Sequence, residues 1–176
     1  TRQTIDAGAG DSCRISVSAL TSTTFTISYI DWVSASSDWI ILGKNINGIT
    51  LWGPTTIDAD MNAYVDIGAC SLNSTNYISS VIDNTDNDAT FVIYNQGTQV
   101  RGQTDVDTGV NPDSGCLDQD CVSCTALSSN SWVFAYYDDN PDQLTYAMYN
   151  GSWAQTKVPA VIKASSLDGA VSTATF

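Results

Sequence analysis

The chain has 176 residues, enough for one domain with a real core, and its 19 acids against 6 bases give a formal charge of −13. That charge opposes polyanionic partners, so nucleic acid and anionic membrane surfaces are excluded as electrostatic ligands. Every acid is Asp, and neither Glu nor His occurs, which removes Ser-His-Asp and Cys-His catalysis, imidazole proton shuttles and His-based zinc sites.

Read from the N-terminus, Thr4-Ile5-Asp6-Ala7 copies Thr56-Ile57-Asp58-Ala59, the close of a later strand. A strand signal then runs from Leu20 through Phe25-Thr26-Ile27-Ser28-Tyr29-Ile30 to Asp31. It aligns without a gap on Leu72 to Asp83 and again on Leu127 to Asp138, at spacings of 52 and 55 residues. Leu, Ser, an aromatic (Phe25, Tyr77, Trp132) and the closing Asp (Asp31, Asp83, Asp138) keep their places. An Asp- or Ser-rich turn follows each motif, and after it a second apolar run: Trp39-Ile40-Ile41-Leu42, Phe91-Val92-Ile93-Tyr94, and Leu144 to Tyr149. Asn47-Gly48, Asn95-Gln96-Gly97 and Asn150-Gly151 then supply the positive φ of tight hairpins. Shorter strands are predicted over 49–52, 98–101 and 153–158. Finally, Gly169-Ala170-Val171-Ser172 resembles the opening strand before each motif, as in Ile67-Gly68-Ala69-Cys70. No stretch has sustained helical periodicity.

These signals predict an all-β chain, one domain over 1–176, built from three four-stranded repeats at about 13–60, 65–110 and 120–163 with partial repeats at both ends. A period of this length marks an array of units, none of which buries its apolar face alone. The β-trefoil and the β-propeller both use four-stranded repeats. The trefoil matches the count of three. The propeller matches the meander, the tight hairpins and the repeat length, and is favoured, as half of a six- or seven-bladed ring. Closing such a ring requires a second chain, a homodimer partner or a longer parent.

Cys13, Cys70, Cys116, Cys121 and Cys124 are disulfide candidates, and Asn73-Ser74-Thr75 and Asn150-Gly151-Ser152 are glycosylation sequons on Asn73 and Asn150. Cys116 with Cys121 or Cys124 would staple the loop before the third repeat, and Cys13 with Cys70 would join two opening strands. One cysteine is then left over, buried or paired with another chain. The expectation is a processed, secreted protein without a membrane partner, since neither a signal peptide nor a bilayer-length apolar run is present.

Asp58, Asp60, Asn62 and Asp66 set oxygen ligands at positions one, three, five and nine of one segment, a rhythm suited to a hard cation, and make calcium the one candidate cofactor. Asp105 to Asp113 has a similar rhythm. The competing reading of both is a solvated turn. Asp107-Thr108-Gly109 matches the aspartic-peptidase tripeptide, but no second copy exists to face it, so it reads as a turn. Asp31, Asp83 and Asp138 are expected to bond turn amides. Five Trp and eight Tyr among few charges offer stacking faces beside polar edges, the chemistry of sugar recognition. Trp32, Trp52, Tyr149, Trp153 and Arg101 are therefore the candidate ligand-binding residues.

The succession of strand, Tyr-x-Asp-like turn, strand, then Tyr149-Asn150-Gly151-Ser152-Trp153 resembles the blade of the fungal fucose-specific lectins, which are six-bladed propellers. The resemblance implies a secreted sugar-binding protein with sites between blades. That family's site combines an Arg, a Glu or Gln, and a Trp; this chain has no Glu and only Arg2, Arg14 and Arg101, so no site residue is carried over. The expected function is a secreted carbohydrate-binding propeller with a glycan as ligand. One alternative is part of a propeller glycoside hydrolase completed by another chain, with Asp31, Asp83 or Asp138 as its carboxylates. The other is a calcium-binding structural or defence protein.

Overall fold

A computed structural model describes residues 4–5, 14–33, 36–61, 66–83, 85–110, 122–139, 142–149 and 156–158. Cys13, Asn62, Cys116, Cys121, Asn150 and Trp153 lie outside them. The first sheet holds β1 (Ile15–Ala19), β2 (Thr24–Val33), β3 (Ser36–Asn45) and β4 (Thr50–Met61). The second holds β5 (Ile67–Ser71), β6 (Asn76–Asp83), β7 (Asp88–Asn95) and β8 (Thr98–Thr108). The third holds β9 (Val122–Ser128), β10 (Ser131–Asp139), β11 (Asp142–Tyr149) and β12 (Thr156–Val158). Strand order in space equals strand order in sequence, and every pairing is antiparallel. Each repeat thus keeps its ladder inside its own sheet, as propeller blades do. A trefoil would pair strands of different repeats in one barrel.

The repeated motif is explained locally. The residue after each repeated Leu is Thr21, Asn73 or Ser128, and its side-chain oxygen closes the first hairpin. Thr21 Oγ1 accepts the amides of Thr23 and Thr24, Asn73 Oδ1 those of Thr75 and Asn76, and Ser128 Oγ that of Asn130. This is the Asx/ST-turn chemistry of short polar side chains. Gly97, at φ 86°, turns β7 into β8 where a Cβ would be strained. The fourth strands run well past the predicted 49–52 and 98–101, because irregular pairing along β3–β4 and β7–β8 breaks the two-residue alternation on which that reading relied. Pro54 is tolerated inside β4 because that strand is the sheet's outer edge.

Both faces of the second sheet are buried. Its Tyr77, Val81, Val92 and Tyr94 pack against Ile30, Trp39 and Ile41 of the first sheet. Its Ile78, Ile82, Phe91 and Ile93 pack against Trp132, Phe134 and Tyr136 of the third. Two large–small exchanges keep both layers filled. In the first interface the buried Trp39 donates its Nε1–H to Ser79 Oγ at 2.9 Å. By strand register the equivalent positions of the second interface are Ala89 and Phe134, both fully buried. The first strands lie innermost: Ser18 Oγ meets Ser71 Oγ at 2.7 Å, and the Ala69 amide donates to Ser16 Oγ. On the far face of the first sheet Ile27, Tyr29, Ile40 and Leu42 form a third cluster.

Trp39→Phe removes the donor to a buried Ser79 and leaves a small void, and is expected to cost about 2 kcal/mol. Urea unfolding measures it; an unchanged midpoint would show that the Trp39–Ser79 contact does not hold the first two sheets together.

Candidate functional site

Two seams between sheets concentrate the unusual side chains. In each, a cross-strand aromatic pair on one sheet meets a single side chain from the fourth strand of the preceding sheet. In the first seam the pair is Tyr77 and Tyr94, directly opposite each other on β6 and β7, with rings 5.8 Å apart. Trp52 of β4 stacks on Tyr77 at 5.0 Å and 11°. Its indole has room because Gly43, its cross-strand neighbour, and Gly97 have no side chains; a Cβ at Gly97 would stand 2.8 Å from Trp52 Cβ, and one at Gly43 would overlap the ring.

In the second seam the pair is Trp132 and Tyr149, opposite each other on β10 and β11 at 6.0 Å and 22°. The side chain laid against it is Arg101 of β8. Arg101 pairs with Ile93 as Trp52 pairs with Gly43, so the two occupy the same structural position. The guanidinium carbon lies 6.0 Å from the Tyr149 ring centroid and 5.9 Å from that of Phe91, at cation–π range. Nε donates to Thr104 Oγ1 at 3.3 Å. Phe91 meets Trp132 edge-on at 4.6 Å. Half-buried Arg101 thus sits among aromatic faces, a setting that a neutral, hydroxyl-rich ligand can enter with C–H groups on the rings and oxygens toward the cation. Tyr77 Oη and Trp132 Nε1, at equivalent positions of the two seams, are buried and find no hydrogen-bond partner among the described residues. Burial, with the Tyr94 phenol beside it, pushes the Tyr77 phenol above its ordinary range, so it stays a neutral donor.

The structure brings two of the sequence-chosen residues together, Arg101 and Tyr149. Trp52 belongs to the other seam, half-buried and stacked on Tyr77. Trp32 lies in β2 opposite Ser37. Phe91 and Trp132, which the sequence marks only as an apolar-run residue and a repeated aromatic, complete the second seam. Their signal was the register that puts Trp132 opposite Tyr149.

Among the described residues, the side chains of the two acidic segments make separate contacts. Asp58 Oδ2 accepts from Gln103 at 2.7 Å, and Asp60 falls in β4. Asp66 is buried and bridges two sheets, its carboxylate taking the amides of Ile67 at 2.8 Å and Val122 at 2.6 Å. Asp105 accepts from Thr90, and Asp107 from the Tyr136 hydroxyl at 2.6 Å. The Asp107-Thr108-Gly109 tripeptide is therefore a strand end tied to the next sheet. Asp83 accepts the Thr85 amide at 2.8 Å, the turn role expected of it. Among the described residues no three acidic or sulfur ligands converge on a cation position. Comparison with known proteins finds no matching family model, no matching curated protein and no matching solved structure.

Tyr136→Phe withdraws a buried hydrogen bond from a carboxylate and is expected to cost about 1.5–3 kcal/mol in chemical unfolding; wild-type stability would contradict the tie. Burial lifts the carboxyls of Asp83 and Asp88 above the ordinary value, with repulsion from Asp105 adding at Asp88. A native carboxyl that holds its proton more tightly than the unfolded chain adds stability below the unfolded value, and that stability is lost as pH rises through the native one. Asp88→Asn removes the charge while keeping an oxygen for the Gly109 amide. Its melting midpoint is expected above wild type at pH 7, with the gap closing on acidification; a lower midpoint at pH 7 would contradict this.

Proposed function

We propose that the protein is a secreted carbohydrate-binding propeller, or the part of one that this chain supplies, with its ligand site in the seam between the second and third sheets. The observation that carries this reading is Arg101 lying 6.0 Å from the ring of Tyr149, inside a wall completed by Phe91 and Trp132. A pyranose has an apolar C–H face and hydroxyl edges. Aromatic rings take the first and guanidinium N–H groups the second. The acidic balance of the chain disfavours sulfated or phosphorylated glycans and favours neutral ones. The absence of Glu and His fits binding better than turnover.

Seams that recur from sheet to sheet also suit weak repeated sites, in which avidity replaces single-site affinity. The same recurrence supports ring closure. Val81 and Tyr136, which face the preceding sheet in the second and third repeats, have Tyr29 as their counterpart on the first sheet's far face, where it is buried in an apolar cluster with Ile27, Ile40 and Leu42. The partner proposed for closing the ring is a second chain or a second copy of this one. Light scattering of the native protein is expected to give a particle heavier than one chain; a single-chain mass would count against closure.

The binding reading is tested on a glycan array with the intact native protein. Capture of neutral glycans is expected, and Arg101→Ala is expected to weaken it about tenfold or more. Val100→Ala, one residue away and 64% exposed, is expected to leave it unchanged. Capture of no glycan, or equal capture by the Arg101→Ala protein, would overturn the assignment.

A further inference from the structure

Cys70 on β5 and Cys124 on β9 are 6% and 8% exposed and belong to the core between the second and third sheets. Both are thiols, and their side chains hydrogen-bond to each other. The close approach has a backbone cause. Gly68 lies two residues before Cys70 and so on the same face of β5. A Cβ built there would stand 3.2 Å from Val122 Cγ1 and 3.3 Å from the Cys124 amide nitrogen. Without that side chain, β9 settles against β5 and brings one cysteine from each sheet into contact. Ser80 fixes the surroundings, its hydroxyl donating to the Gly68 carbonyl at 3.2 Å and hydrogen-bonding the Cys124 thiol. Both cysteines also line a cavity of about 340 Å³ beside the innermost strands, together with Ser18, Ser71 and Ala126. A small oxidant can enter a space of that size.

We propose that Cys70 and Cys124 form a disulfide that ties the second sheet to the third at their inner strands. Hydrogen peroxide suffices as the oxidant. One thiol, losing its proton, attacks a peroxide oxygen; the O–O bond breaks, water leaves and a sulfenic acid remains. The second sulfur attacks the first, the S–OH bond breaks, and the departing hydroxide takes the second thiol's proton as water. Two thiols lose two electrons, and one peroxide becomes two waters. The pairing crosses from one repeat to the next, and unlike the closures of the loop before the third repeat it links two sheets directly.

The test is peptide mapping of the full-length protein, alkylated in its native state and again after unfolding, before and after brief peroxide treatment. The expected product joins the peptides carrying Cys70 and Cys124, is about 2 Da lighter than the two thiol peptides together, and is separated by dithiothreitol. In Cys70→Ser this product is absent. Cys70 or Cys124 joined to Cys13, Cys116 or Cys121 would overturn the proposal. So would recovery of both as unlinked thiols or sulfonic acids after treatment that oxidises exposed methionine Met148.

Discussion

Everything in this molecule depends on the middle sheet having two apolar faces. A four-stranded sheet is usually content with one buried side, but β6 and β7 are buried almost along their whole length. Such a sheet is not stable alone. It requires a neighbour on each side, and the first sheet in turn carries a second buried apolar face of its own, made of Ile27, Tyr29, Ile40 and Leu42. The threefold sequence repeat is the record of that requirement: aromatic, β-branched and small residues recur at the positions where sheets meet. The inner strands add polar ties, with Ser18 on Ser71 and the Asp66 carboxylate on the Val122 amide.

The two interfaces are alike in plan and different in content. Trp39 with Ser79 in the first is answered by Ala89 with Phe134 in the second, so volume moves from one sheet to the other while the gap between them stays filled. Gly43 with Trp52 is answered by Ile93 with Arg101. The second exchange alters chemistry as well as volume. A neutral indole stacked on tyrosine becomes a cation held between two aromatic rings, Phe91 and Tyr149. The proposed ligand site thus falls where the repeats diverge, at the outer strands, while the positions that repeat most faithfully hold the turns and the core.

Much of the fold was legible in the chain. The three motifs, the Asn/Gly hairpins and the absence of helical periodicity defined four-stranded antiparallel units, because alternation and turn chemistry are local. The long fourth strands were not legible, since irregular pairing along β4 and β8 destroys the alternation beyond Trp52 and Arg101. The equivalence of those two residues was hidden for a related reason: their hairpins differ in length by one residue, so linear alignment misses what register reveals. Arg101 and Tyr149 were recognisable as candidates by residue type, but their meeting depends on how the sheets stack. The contact of Cys70 with Cys124 was invisible too, because it is set by a missing Cβ at Gly68.

The central claim is that the sheets are stabilised through shared faces, so a change in one must be felt in the next. Native-state hydrogen exchange on Trp39→Phe tests this directly. The account predicts that amides of Ile78 to Val81 in the second sheet lose protection together with those of Ile40 to Leu42 in the first, and by a similar factor. Loss confined to the first sheet, with the second unchanged, would contradict it.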